Sequence, residues 1–288
     1  MRVLADLEYS DLLMLDAYVP DAPLGAILLL HGGWLEGDKN GEAVLAERLC
    51  KSGFLVLSAN YRLDRTGPNG RALTDAVAAL RWLRGSDFDF DRARIAVLGI
   101  GTGGTVAIEV GLQQGVPVVA WSPLIDFKGF MDSSATLGDS DHLRDYHGVS
   151  WDMIKDAGEQ VPFLRGVILA MVANNLSLLA STSPLSRVTP KAAPALLFNS
   201  TNEIIPARGA SLMQEAMTDS GVPCKISFLE GSRHGSEYLL SALPSTIQFF
   251  RESFSHDHLA ATQDTKGTAK PQPGNIETAV SVGLQPSV

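Results

Sequence analysis

Two glycine-rich turns mark where this chain could do chemistry. Leu30-His31-Gly32-Gly33-Trp34 follows an apolar run. Backbone N–H groups in such a turn can face an oxyanion, because no side chain blocks a substrate's approach. Gly37-Asp38-Lys39 follows closely, which makes the stretch more specific than an ordinary strand-to-helix turn. The second turn lies within Arg94-Ile-Ala-Val-Leu-Gly-Ile-Gly-Thr-Gly-Gly-Thr105, an apolar run entering glycines and then a helical pattern. In a nucleophile elbow, G-x-S-x-G, small residues flank a serine held on a strained turn. Gly99, Gly103 and Gly104 stand at the flanking positions, and Gly101 stands where the serine belongs. A glycine has no side chain, so no acyl-enzyme can form at position 101.

Such turns need a sheet to hold them, and the chain supplies one. Ala26–Leu30 and Phe54–Ala59 are continuous apolar runs, as strands covered on both faces require. Leu13–Val19 alternates as a half-buried strand, and Ile95–Gly99, Val116–Trp121, Pro194–Phe198 and Cys224–Leu229 continue the series. Helical patterns fall between them at Ala43–Lys51, Arg71–Arg84, Gly104–Gln113, Ala207–Thr218 and Glu237–Phe254. This alternation predicts an α/β fold, a mostly parallel central sheet with helices on both faces. Two stretches break the rhythm. Residues 126–183 form a long, helical-looking insertion, read as a cap or lid. From Ser255 to Val288 no aromatic residue occurs, and that tail reads as disordered beyond a domain of residues 1–254.

With these motifs in place, the chain resembles an α/β-hydrolase of the esterase/lipase superfamily, near the hormone-sensitive-lipase-like and feruloyl-esterase-like (BD-FAE) groups. The likeness runs from about Leu13 to Phe254. It includes HGGW…GDK, Ala59-Asn60-Tyr61-Arg62-Leu63, Asp91-Arg-Ala-Arg-Ile95, Ser183-Pro184, Asn199-Ser-Thr-Asn-Glu-Ile-Ile-Pro206 and Gly231-Ser-Arg-His-Gly235. The resemblance implies a nucleophile, acid and histidine in that chain order. It puts the histidine at His234, after the last strand. Counting back from Pro206 places the acid at Asn202, and counting from the strand end allows Glu203; Asn202 is favoured. An asparagine would orient the imidazole without stabilising the imidazolium, which Glu203 could do if its side chain reached. The oxyanion donors implied are Gly32, Gly33, Trp34 and Thr102. Thr102 could replace the nucleophile only by a one-residue slip of the elbow. Trp34, Trp121 and Phe127 would ring the pocket.

Glycine at the elbow relieves a strain of about 1–3 kcal/mol while deleting the chemistry. With the acid also lost at Asn202, the expectation is a non-hydrolytic pseudo-esterase. It would bind a small ester-like or acyl ligand, or use His234 for proton transfer in a biosynthetic step. The alternative is a carboxylester hydrolase whose serine was replaced by an experimenter. Composition narrows the field further. The 288 residues carry 23 Lys+Arg against 32 Asp+Glu, a net charge of −9 that disfavours nucleic acid as a partner. Cys50 and Cys224 make neither a disulfide framework nor a metal site. No apolar run suggests a signal sequence or a membrane span, so a cytoplasmic location is expected. No cofactor or metal is expected. Asp139-Ser-Asp-His142 with Asp145 and His147 is read as a solvated loop rather than a metal cluster, and His256-Asp257-His258 as an inert start to the tail.

Overall fold

A strand order of β1-β2-β4-β3-β5-β6-β7-β8 arranges the chain around one eight-stranded sheet. The structure is a computed structural model that describes residues 1–33, 36–63, 70–135, 149 and 151–264. The strands are β1 (Arg2–Ser10), β2 (Leu13–Val19), β3 (Ala26–Leu30), β4 (Leu55–Ala59), β5 (Ile95–Ile100), β6 (Val118–Trp121), β7 (Ala195–Ser200) and β8 (Cys224–Leu229). From β4 to β8 every neighbouring pair is parallel, and β1 and β2 join antiparallel at one edge.

The unbroken apolar runs are explained by two cores, one on each sheet face. Leu28, Leu30, Leu57 and Val97 face α2 (Arg71–Gly85), α3 (Thr102–Gln114) and α8 (Arg208–Asp219) through Ala76, Leu80, Val106, Val110 and Met213. Ile27, Leu29, Val56, Leu98 and Trp121 face α1 (Ala43–Lys51) and α9 (Leu239–Asp264) through Leu45, Leu49, Phe250 and Phe254. Alternate residues of one strand thus enter opposite cores, so neither face can be polar.

Between β6 and β7 lies the helical cap: α4 (Phe127–Ser133), α5 (Trp151–Asp156), α6 (Gln160–Met171) and α7 (Leu179–Thr182). These helices share an apolar cluster of their own, with Phe127, Phe130, Phe163, Leu164 and Ile168 inside it. Arg165, itself buried, donates to the Met131 carbonyl and to Ser134 Oγ, which fastens α6 to the end of α4.

Two expectations need correcting. The first ten residues, read only for a signal sequence, form the edge strand β1, whose side chains are mostly exposed and so carry little periodic signal. The final helix also continues to Asp264 instead of stopping at Phe254; the rest of the expected tail, 265–288, lies outside the described residues. Among the described residues, no single helix is long and apolar enough to cross a membrane.

Candidate active site

The parallel strands deliver their carboxyl ends to one side of the sheet, where open α/β sheets hold their ligands. β5 ends at Ile100, and Gly101 turns the chain into α3 with φ 54° and ψ −117°. This region favours glycine, and other residues hold it only under strain. The Gly101 N–H donates to the Trp121 carbonyl at 2.8 Å, pinning the turn to β6. The flanking glycines are obligatory. A Cβ on Gly99 would come within 2.0 Å of the Gly103 carbonyl, and one on Gly103 within 2.3 Å of the His31 carbonyl. Gly101 differs from them. A Cβ there would meet nothing nearer than His234 Nε2 at 3.7 Å and Gly32 Cα at 3.9 Å, so the backbone leaves room for a side chain beside the histidine.

His234 is half-buried, and its Nδ1 lies 2.8 Å from Glu203 Oε2. The Glu203 carboxylate is completely buried. Its Oε1 accepts from Ser200 N–H at 2.7 Å, Asn199 Nδ2 at 3.0 Å and the Tyr238 hydroxyl at 2.6 Å. Burial and the Glu203 carboxylate both raise the Tyr238 phenol, so it stays a donor. The favoured reading of Asn202 as the imidazole's partner is therefore corrected. Asn202 is exposed and uses its backbone N–H on the Gly231 carbonyl, while Glu203 holds the imidazole. The cause is the length of β7. It runs to Ser200, two residues past the expected end at Phe198, and the turn brings residue 203 back under the strand.

The loop between β3 and α1 forms the opposite wall. Gly33 takes φ 106°, where a Cβ would collide with the Glu36 carbonyl at 1.7 Å. The backbone of Gly32, expected to point at an oxyanion, lies beside the buried carboxylate of Glu42 and favours its charged form against the effect of burial. Ser236 Oγ lies 2.9 and 3.0 Å from the two oxygens of the same carboxylate. Glu42 thus ties the glycine loop to the histidine loop, and burial raises its pKa above the ordinary carboxylate value. Among the described residues, no acceptor is seen for the N–H of Gly33 or of Thr102, and both residues line the cavity. Thr102 Oγ1 is buried without a partner there. Trp34 lies outside the described residues. His31 lines the cavity, is buried and stacks on Tyr61, whose hydroxyl donates to the His31 carbonyl at 2.6 Å. Burial lowers the pKa of this imidazole, so His31 stays neutral.

The resulting cavity holds about 510 Å³, with Gly101, Thr102 and His234 at its floor and Ile154, Phe163 and Leu164 of the cap above. Among the described residues, Glu36, Asp38, Glu42, Asp152 and Glu237 line it against one lysine, Lys155, which pairs with Glu237 at 3.0 Å. Two expected wall residues are elsewhere. Trp121 is fully buried and donates to Thr246, and Phe127 lies in the cap's core. Sequence reasoning missed Ser122, whose Oγ accepts the Gly235 N–H at 2.9 Å and steadies the histidine loop. It also missed Glu42; an acid at the start of a helix after the glycine turn was the available signal.

No group of three or more His, Cys, Asp or Glu among the described residues could hold a metal. The cluster from Asp139 to His147 lies outside them, as do the side chains of His256 to His258. Both cysteines are buried and free, and burial pushes the Cys224 thiol up to about 12.

Comparison with known proteins agrees with this architecture. Residues 15–217 match the BD-FAE family model. Esterase LipU of Mycobacterium tuberculosis is 26% identical over 244 residues, covering 81% of this chain and 77% of LipU. Among solved structures, a truncated carbohydrate esterase from gut microbiota superposes with a TM-score of 0.69 at 17% identity, covering 88% of this chain and 97% of that one. Esterase B from Lactobacillus rhamnosis gives 0.66 at 17% identity, over 92% and 88%. At such identities the superpositions speak for the fold alone.

Proposed function

The chain belongs to the BD-FAE family, and from that premise we propose that its pocket binds a small ester-like or acyl ligand without forming an acyl-enzyme, keeping His234 as a general base. The observation that carries this reading is the meeting of Gly101 with an intact base. The imidazole is oriented by a buried glutamate, and the residue it faces has no side chain to deprotonate. The N–H groups of Gly33 and Thr102 are the proposed donors to the ligand's carbonyl oxygen. With Glu203 in place, loss of the acid no longer supports decay of the whole site. Retention of a histidine–carboxylate pair favours a role in moving protons over passive binding.

The acidic lining favours neutral or cationic ligands, since among the described residues an anion would meet five carboxylates and one already paired lysine. The test is binding of p-nitroacetanilide, the amide counterpart of an aryl acetate, together with treatment by paraoxon. The amide should bind the chain as it stands, and paraoxon should leave it unmodified. A covalent phosphoryl adduct on the unaltered chain would refute the reading.

A further inference from the structure

Two threonines lie buried on the first turn of α3, and their hydroxyls are treated differently. Thr105 donates its hydroxyl to the Leu124 carbonyl at 3.0 Å. Thr102, only 7% exposed, holds Oγ1 in the interior with no hydrogen-bond partner among the described residues. A buried hydroxyl left unpaired costs stability, and in a native fold it marks a place that something else completes. Core packing alone would be served better by valine, which has the same shape without the polar atom. Thr102 also lines the cavity, next to Gly101.

The groups around it are donors. Gly101 is the N-cap of α3 and has no side chain to accept from the first N–H groups of the helix. That end of a 13-residue helix carries partial positive charge and favours an acceptor atom. Gly33, in the loop after β3, adds an N–H for which no acceptor is seen among the described residues. None of these donors is formally charged, and acids line the wall elsewhere, which suits a neutral oxygen better than an anion. Resting on the ligand site proposed above, we propose that the pocket selects carboxamides over esters, and that the Thr102 hydroxyl makes the selection by turning about χ1 to donate to the ligand's carbonyl oxygen. A helical threonine divides between two χ1 rotamers, so the turn needs no movement of the backbone. An amide carbonyl is the stronger acceptor, because the nitrogen lone pair delocalises onto its oxygen. An added donor is therefore worth more on an amide than on an ester. In a pocket that forms no acyl-enzyme, this donor binds the ground state and sets affinity rather than rate.

The experiment compares N-methylbenzamide with methyl benzoate, neutral ligands of matched shape, by calorimetric titration of the full chain. The amide should bind tighter by about threefold or more. Thr102→Val should weaken the amide by about three- to tenfold, the span of one neutral hydrogen bond, and weaken the ester less. Its Tm should hold or rise, because the unpaired hydroxyl is gone. Thr102→Ser keeps the hydroxyl and should keep the preference. A purely structural role would lower Tm and leave the amide-to-ester ratio unchanged. Should the valine variant fail to fold, Thr102→Ser and Thr102→Ala, which differ by the hydroxyl alone, must show the same gap. Equal amide binding with and without the hydroxyl overturns the role of Thr102. An ester that binds the unaltered chain as tightly as the amide overturns the ligand class. In either case binding of p-nitroacetanilide leaves the ligand site standing. If p-nitroacetanilide and both matched ligands fail to bind, the ligand site itself is wrong and this inference falls with it.

Discussion

Replacing Gly101 by serine should turn this pocket into a serine esterase at a measurable cost in stability. The Cβ of the new residue would lie 3.7 Å from His234 Nε2, and one further C–O bond brings Oγ within hydrogen-bond reach of about 2.6–3.2 Å. The acid is already in place, so no second substitution is required. Loss of a catalytic serine lowers kcat by roughly 10⁶-fold, so a recovery a thousandfold short of that still gives a gain of about 10³-fold. The backbone sets the opposing term. At φ 54° a side chain adds about 1–3 kcal/mol of strain. For a domain of this size that lowers Tm by about 2–12 °C. Stopped-flow release of p-nitrophenol should show a burst of one equivalent, paraoxon should add one phosphoryl group by mass, and calorimetry should record the lower Tm. A folded Gly101→Ser protein that shows neither burst nor adduct would refute the placement of the nucleophile site. A rise in Tm would refute the strain argument separately.

The remaining predictions concern two other buried carboxylates. Glu109, on α3, is fully buried and is held by Arg187 Nε at 2.7 Å. Arg187→Met removes its counter-charge and should destabilise by about 3–5 kcal/mol at neutral pH. Burial raises the Glu109 carboxyl even beside the arginine, so the loss should shrink in acid, where Glu109 takes up a proton. Urea unfolding curves at two pH values test this, and equal losses at both would count against it. For Glu42 the sign follows from burial. Its folded pKa lies above the ordinary 4.5, so the folded chain keeps a proton that the unfolded chain releases, and stability from this group falls as pH rises past that value. Glu42→Gln keeps an acceptor for Ser236 but does not titrate. Its Tm relative to the unaltered chain should rise between pH about 4 and about 8, and a flat difference would remove the argument.

Much of the fold was legible because buried parallel strands leave an unmistakable mark. Ala26–Leu30, with all five residues fully buried, matches its apolar run residue for residue. The elbow was equally legible, since only glycine tolerates the contacts at positions 99 and 103. β1 was not, because its side chains lie mostly in solvent and the apolar pattern never develops. The acid was misread by one position for a geometric reason. Composition does not say where a strand ends, and a two-residue extension of β7 exchanges the residue that reaches the histidine. Ser122 and Glu42 escaped notice because each acts across the fold on a loop distant in sequence.

The web around Glu203 has a consequence for how such a site ages. Three donors besides the imidazole rest on this one carboxylate, including a main-chain N–H at the end of a central strand. Deleting it would leave the Asn199 amide unpaired, at about 1–3 kcal/mol for such a buried group, and take away the acceptor of the Tyr238 hydroxyl, with the Ser200 N–H left to the Tyr238 oxygen at 2.6 Å. Deleting a serine at position 101 does the reverse and relaxes the backbone. The two positions are therefore unequally disposable. In a lineage freed from making acyl-enzymes, stability alone would favour loss of a nucleophile at the elbow before loss of the acid, which stays as part of the architecture.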